Sequence, residues 1–135
     1  MLGTTKVITL EAAKKMAAAG EEEARKNGWT VAIAIVDANG DLILFQKMDE
    51  TQPGSIKVCQ GKARAAALFK RPSKALEDMI LGGKTTFLSV EGIIPIQGGL
   101  PVVVDGKVIG AVGVSGVLST QDEQVATAGL SVLSA

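Results

Sequence analysis

The chain has 135 residues, of which 47% are hydrophobic, and its 14 Lys and Arg residues balance its 14 Asp and Glu residues. This length and composition predict one globular domain over residues 1–135. Zero net charge and 3% aromatic content argue against nucleic-acid binding, which normally requires a basic surplus and stacking aromatics. No apolar run approaches the roughly 18–20 residues of a membrane span, so we expect neither nucleic acid nor membrane as a partner.

Missing residue types restrict the chemistry further. The chain has no histidine and no tyrosine, which excludes a Ser-His-Asp or Cys-His relay and an imidazole metal ligand. Its single cysteine can form neither an internal disulfide nor a structural zinc site. We therefore expect no metal-binding residues and a cytoplasmic location, and the absence of an apolar signal-peptide region at the start also favours that location.

The first third of the chain predicts a helix and a hairpin. Thr9 suits an N-cap and Asn27-Gly28 a C-terminal stop, and residues 29–37 are apolar on both faces, which is typical of a central strand. Asn39-Gly40 predicts a type I′ turn into a returning strand at residues 41–48. Small residues at helical spacing predict close packing of the helix: Leu10, Ala13, Ala17, Gly20 and Ala24.

The middle of the chain predicts two helices and an irregular segment. Ser55 is expected to cap a helix over residues 56–70, which Arg71-Pro72 ends because the residue before proline avoids the helical region. Ser73 opens a short third helix that ends at Gly82-Gly83. Residues 84–99 lack a clear period.

The last third predicts a second hairpin and a final helix. Strands at residues 100–104 and 107–115 are joined by Asp105-Gly106, another type I′ pair. Thr120 and Glu123 have the spacing of a capping box, so we expect a helix from there to about residue 133. Two hairpins do not fit the strand–helix alternation of a parallel sheet, and the fold class is therefore mixed α/β (α+β) with a mainly antiparallel sheet.

Several candidate functional residues remain after incomplete motifs are set aside. Gly83-Lys84-Thr85 lacks the rest of a P-loop, and Ser115 lacks both the full G-x-S-x-G pattern and a histidine base. Lys62 and Arg64 share the second helix and are either an anion clamp or solvated, subunit-contact side chains. Free amides of a glycine-rich turn can hold anions. The candidate ligand-binding residues are Lys62, Arg64, Gln97, Gly98, Gly99 and Ser115.

Two further residues have alternative interpretations. Asp37 is either a buried carboxylate that acts as a base or the organiser of the turn that follows it. Cys59 is in phase with Ile56 and Ala63 and is either a small buried hydrophobe or a thiolate nucleophile.

Four segments together resemble one known family. They are VAIAIVDANGDLILFQKMD, SIKVCQGKARAAALFKRPS, IIPIQGGLPVVVDGKVIGAVGVSG and the helix that contains Asp122, Val125-Ala126 and Ala128-Gly129. In this order they resemble the GlcG/HbpS-like haem-binding (haem-degrading domain) proteins, related to the C-terminal domain of PduO-type proteins. The resemblance implies a profilin-like fold with a five-stranded mainly antiparallel sheet covered by helices, a small-molecule pocket and a homo-oligomer.

The chain departs from the family pattern in two ways. Ala65 replaces the threonine of a K-A-x-T-A helix pattern, and the absence of histidine rules out a histidine-ligated haem iron. Haem stays a candidate cofactor without histidine ligation, held by a hydroxyl, by one of the sulfur-containing residues or without an axial ligand. Those sulfur-containing residues are Met16, Met48, Met79 and Cys59.

Three functions are therefore open at the level of the sequence. The first is a small-molecule-binding protein for a haem-like or organic-acid ligand. The second is a small cofactor-independent isomerase or lyase that acts on an organic acid, with Lys62 or Asp37 as its base. The third is an accessory subunit that only associates.

Overall fold

The computed structural model describes residues 1–133 and follows the predicted order of helices and hairpins. Four α-helices, one 3-10 helix and four strands make up this part of the chain. In order they are α1 (Leu10–Lys26), β1 (Ala32–Asp37), β2 (Leu42–Lys47), α2 (Ser55–Phe69), α3 (Ser73–Leu81), the 3-10 helix (Thr85–Ser89), β3 (Gly99–Val104), β4 (Lys107–Ser115) and α4 (Ser119–Ser131).

The four strands form one antiparallel sheet in the order β2-β1-β4-β3. The antiparallel pairing and the central place of β1 confirm the sequence predictions, but the expectation of five strands is wrong. The apolar pieces before β3 do not extend the sheet, because Phe87, Val90 and Ile93 pack around Leu76 of α3 instead. The comparison with a profilin-like architecture stays a prediction.

The two faces of the sheet carry side chains of different size. Large aliphatic residues such as Ile33, Ile35 and Val112 face α1 and α4. Alanines such as Ala32, Ala34 and Ala111 face α2 instead. The two sets are separated by strand alternation, which sends successive side chains to opposite faces of the sheet.

The small face lets α2 lie very close to the sheet. A Cβ atom on Gly113 of β4 would stand 2.1 Å from the carbonyl oxygen of Cys59 and 2.6 Å from the amide nitrogen of Ala63. Only glycine fits here, because both neighbours are helix backbone. Gly113 therefore sets the distance between α2 and the strands.

The two hairpin turns differ. Asp105 (φ 51°) and Gly106 (φ 75°) both have positive φ, which confirms the type I′ turn. The first turn is not type I′, because only Gly40 (φ 80°) has positive φ. The side chain of Asp37 favours the other geometry: its Oδ1 accepts hydrogen bonds from the amides of Asn39 (2.8 Å) and Asp41 (3.0 Å).

Most helix starts lie close to their predicted positions, with corrections. Thr9 caps α1 as predicted, and its hydroxyl accepts from the amide of Ala12. Ser55 is the first residue of α2 rather than its cap, whereas Ser73 opens α3 as predicted. The capping box of Thr120 and Glu123 is wrong by two residues, because α4 begins at Ser119.

Gln121 performs the predicted capping role instead of Glu123. Its side-chain oxygen accepts a hydrogen bond from the amide of Leu118 at 3.2 Å. At the other end, α4 stops at Ser131, two residues before the predicted limit. In α1, the predicted buried stripe holds except for Leu10, which is exposed.

Candidate functional site

Lys62 forms a buried ion pair at the centre of the candidate site. Its Nζ lies 2.9 Å from Oδ2 of Asp122 and donates a second hydrogen bond to the carbonyl oxygen of Val114 at 3.0 Å. The exposed fractions of the Lys62 and Asp122 side chains are 2% and 3%. The other carboxylate oxygen of Asp122 accepts from the amide of Val117 at 3.1 Å. Both charged groups are thus held inside the protein.

The position of Lys62 depends on two glycines at the start of β3. A Cβ atom on Gly98 would lie 2.7 Å from Nζ of Lys62, and one on Gly99 would lie 2.2 Å from its carbonyl oxygen. These glycines leave the space through which Lys62 passes from α2, on one face of the sheet, to α4 on the other. The predicted Gln97-Gly98-Gly99 turn and Lys62 are therefore brought together.

Burial raises the pKa of the Asp122 carboxyl, and the ammonium of Lys62 acts in the opposite direction. Removing a carboxylate from water disfavours its charged form, whereas a nearby cation favours it. While this pair is intact, Lys62 has an internal partner for its charge. An external anion has to compete with Asp122 for it.

Gln97 and Ser73 hold the glycine turn in place. The backbone amide of Gln97 donates to Oε1 of Glu77 at 3.1 Å, and its side-chain Nε2 donates to Oε2 of Glu123 at 2.9 Å. The hydroxyl of Ser73 donates to the carbonyl oxygen of Ile96 at 2.6 Å and accepts from the amide of Gly99 at 2.8 Å. The turn is thereby fixed to both α3 and α4.

Ser115 lies at the end of β4, beside the start of α2. Its hydroxyl donates to the hydroxyl of Ser55 at 3.1 Å, and both residues are buried. Nearby in sequence, the Oγ1 atom of Thr51 is buried without a hydrogen-bond partner in the described part of the chain. Ser115 adjoins Val114, which accepts from Lys62, so it belongs to the same strand end.

Arg64 has different hydrogen-bond partners from Lys62. Its Nε donates to the carbonyl oxygen of Gly92 at 2.8 Å and its Nη1 donates to the carbonyl oxygen of Gly40 at 2.9 Å. The guanidinium thus ties the first hairpin and the chain before β3 to α2. It also lines a depression of about 380 Å³ between α2 and residues 92–94. The structure does not bring Lys62 and Arg64 to one point.

The two residues with alternative interpretations both have structural roles. The carboxylate of Asp37 holds the first hairpin turn, as described above. Cys59 is fully buried, its thiol donates to the carbonyl oxygen of Ile56 at 3.4 Å, and burial raises its pKa to about 12. A protonated, buried thiol is a weak nucleophile.

The sulfur-containing residues named as haem ligands are all wholly or partly buried. Met16 is buried, Met48 and Met79 pack against the apolar clusters, and the thiol of Cys59 is protonated inside the protein. Within residues 1–133, no group of three His, Cys, Asp or Glu residues is arranged to hold a metal ion. Met16 and Cys59 are thus enclosed by the core, and a haem without an axial ligand would be held through its ring and its carboxylates.

Asp122 is the main site residue that sequence reasoning placed only in a helix. Its signal is the helical phase it shares with Val125, Ala126 and Gly129, all of which are buried. A carboxylate on a buried stripe requires an internal partner, and Lys62 lies on the corresponding stripe of α2. Glu77 and Glu123, which hold Gln97, have no comparable signal.

Within residues 1–133, no helix combines the length and the apolar character that crossing a bilayer requires.

Comparison with known proteins identifies relatives along nearly the whole chain. A family model described as "Haem degrading protein HbpS-like" matches residues 8–131. Protein GlcG of Escherichia coli K12 is 44% identical over 112 residues, which cover 83% of this chain and 84% of GlcG.

Solved structures agree with this assignment. The Streptomyces reticuli HbpS double mutant superposes with a TM-score of 0.92 at 34% identity, covering 98% of this chain and 90% of that protein. The Klebsiella pneumoniae protein ORFY superposes with a TM-score of 0.91 at 36% identity, covering 100% and 97%. The resemblance found in the sequence is thus confirmed, and the chain belongs to the HbpS-like family.

Proposed function

We propose that this protein binds a small molecule that carries carboxylate groups, either a haem-like ring or an organic acid, without histidine ligation. The observation that carries the proposal is the match of residues 8–131 to a family model described as haem degrading. Because the chain has no histidine and Met16 and Cys59 are fully buried, we expect recognition to rely on the charge and shape of the ligand.

The two groups of candidate residues have different parts in this proposal. Arg64 is half-exposed and offers its guanidinium to a ligand directly, since a planar fork suits a carboxylate. Lys62, Gln97, Gly98, Gly99 and Ser115 form the buried group at the strand ends. In our proposal they act on the ligand indirectly, by holding the start of β3 in place.

The geometry gives less support to an isomerase or lyase. Lys62 is paired with Asp122, and Asp37 accepts two hydrogen bonds from the turn that follows it. Both bases named for that reaction are thus engaged within the protein. We therefore do not extend the proposal to catalysis.

Titration with haem tests the proposed function. The Soret band of haem should shift saturably at micromolar concentration, with the urea-unfolded chain as the control. A panel of small organic acids should be titrated in parallel by isothermal calorimetry. Absence of a saturable Soret shift together with absence of binding heat across the panel would remove the proposal.

Association of several copies in the cytoplasm is part of the same proposal. Support comes from large apolar side chains that are exposed on the described chain, among them Leu42 of β2 and Val103 of the edge strand β3. Light scattering after gel filtration should give a mass that is a multiple of 13.9 kDa. A monomer at micromolar concentration would contradict this part. Fractionation of the source cells tests the location.

A further inference from the structure

We infer that the depression between α2 and residues 92–94, called here the α2 groove, is the carboxylate-binding site of this protein, with Arg64 as its anchor and Lys57 as a second cation. The inference rests on the proposed function for the class of ligand and assigns it a place. Three features that lie side by side carry it. They are the guanidinium of Arg64, of which two nitrogens bond to backbone carbonyls, the ammonium of Lys57 and an apolar wall.

One stripe of α2 forms the helical side of the groove. Lys57, Gln60, Gly61 and Arg64 line it, and their spacing of i, i+3, i+4 and i+7 places them on the same side of a helix. Lys57 and Arg64 are two turns apart, about 10 Å along the axis. The two positive charges therefore stand at opposite ends of the groove.

The opposite wall is fixed to α2 at Gly61. The amide of Ile94 donates to the carbonyl oxygen of Gly61 at 3.0 Å. A Cβ atom on Gly61 would lie 2.4 Å from Cγ1 of Ile94, so a side chain there would push this wall away. The close approach gives the groove an apolar surface between its two cations.

The guanidinium of Arg64 is held in a fixed orientation with donors to spare. Its Nε and Nη1 bond to backbone carbonyls of Gly92 and Gly40, and Nη2 takes part in neither hydrogen bond. A Cβ atom on Gly92 would lie 3.4 Å from Nη2, so glycine keeps that side of the fork uncovered. A preorganised donor loses less freedom on binding than a mobile one.

The charge and size of the groove define the ligand. Of the described residues that line it, two are cations and none is a carboxylate; the exposed Glu91 precedes Gly92 in the chain but is not part of the lining. A volume of about 380 Å³ is at the lower end of small-molecule sites. The matching ligand has a carboxylate for Arg64 and an apolar or planar body that covers Gly61 and Ile94.

Two sources of such a carboxylate have to be distinguished, a free organic acid and a propionate of haem. The probes are succinate, followed by calorimetry, haem, followed by its Soret band, and haem dimethyl ester, which keeps the ring but lacks free carboxylates. Loss of binding by the ester relative to haem indicates propionate recognition. Binding of succinate alone indicates a free acid.

Substitutions in full-length protein test the site. Lys57→Glu reverses an exposed charge without touching the core, and Arg64→Gln removes the guanidinium but keeps an amide donor. Each should weaken binding of the probe that the wild type binds by about tenfold or more. Lys107→Glu, an equal charge reversal on an exposed residue of β4, should leave the affinity unchanged.

The outcomes separate this site from the proposed function. If the wild type binds a probe and both Lys57→Glu and Lys107→Glu leave its affinity unchanged, the site is wrong while the function stands. If the wild type binds no probe, both fail together. Because Arg64→Gln also loses contacts to two carbonyls, its circular dichroism is compared first, and Lys57→Glu decides if that variant is unfolded.

Discussion

The ammonium of Lys62 and the carboxylate of Asp122 lie 2.9 Å apart although 60 residues separate them in the sequence. Both side chains are almost completely buried. Removing one partner of a buried ion pair destabilises a protein far more than replacing both partners together, because it leaves a buried charge uncompensated. This relationship makes the pair suitable for a stability experiment.

Replacing Lys62 alone should destabilise the fold strongly. Lys62→Met leaves the Asp122 carboxylate buried beside Val114 without its cation, and we expect the free energy of unfolding to fall by about 3–5 kcal/mol. The double variant Lys62→Met with Asp122→Asn should recover much of this loss because no buried charge remains. Urea denaturation gives the free energy of unfolding of the wild type, of Lys62→Met and of the double variant.

Lys57→Met is the matched control for that experiment, since it is the same substitution at an exposed position of α2. It should change the free energy of unfolding much less than Lys62→Met does. Equal effects of the two substitutions would show that the buried pair has no special energetic role.

Asp122 should make stability depend on pH in a defined direction. Burial raises its pKa above the ordinary value of 3.8. At a pH between 3.8 and the raised pKa, the folded protein therefore retains a proton that the unfolded chain has lost. Its contribution to stability is complete below pH 3.8 and declines as the pH rises through the raised pKa. The difference in unfolding free energy between the wild type and Asp122→Asn should fall over this interval. A difference that grows with pH would contradict the raised pKa.

Cys59 should be unreactive in the folded protein. Its pKa of about 12 and its full burial leave almost no accessible thiolate at pH 8. Iodoacetamide should therefore label the protein in urea but not under native conditions, as measured by mass spectrometry. Rapid labelling of the native protein would show that α2 opens away from β4.

Adding a methyl group to β4 should disrupt its contact with α2. In Gly113→Ala the new Cβ meets backbone atoms of Cys59 and Ala63, which cannot rotate away as a side chain can. Overpacking of this kind costs about 1–3 kcal/mol or more, measured as a lower urea midpoint. Gly54→Ala is the control, because φ is −58° there and no atom lies within 4 Å of the new Cβ. Similar midpoints for the two variants would be evidence against close packing.

Local sequence patterns predicted the elements of the fold well. Asp105-Gly106 forms the expected type I′ turn, and the apolar run at residues 29–37 contains a strand that is covered on both sides. The errors arise where a side chain competes with a backbone rule. Asp37 organises the first turn and Gln121 replaces Glu123 as the capping partner, and neither choice follows from residue spacing alone.

The candidate site was harder to predict because its parts are distant in sequence. The helical phase of Lys62 with Cys59, Ala63 and Ala66 already indicates a buried position, and Asp122 has the same signal on α4. That the two meet depends on the gap at Gly98-Gly99, which is a property of the assembled sheet. The carbonyl partners of Arg64 are likewise fixed only by the chain path around α2.

The passage of Lys62 beside the first residue of β3 also affects how the protein opens. Because α2 and α4 cover opposite faces of the sheet, neither helix can detach without leaving the other with an unneutralised charge in an apolar setting. Local fluctuations that release one layer at a time are therefore suppressed, and both layers belong to one cooperative unit. Amide hydrogen exchange should report the same opening free energy for the middle of α2 and the first turns of α4.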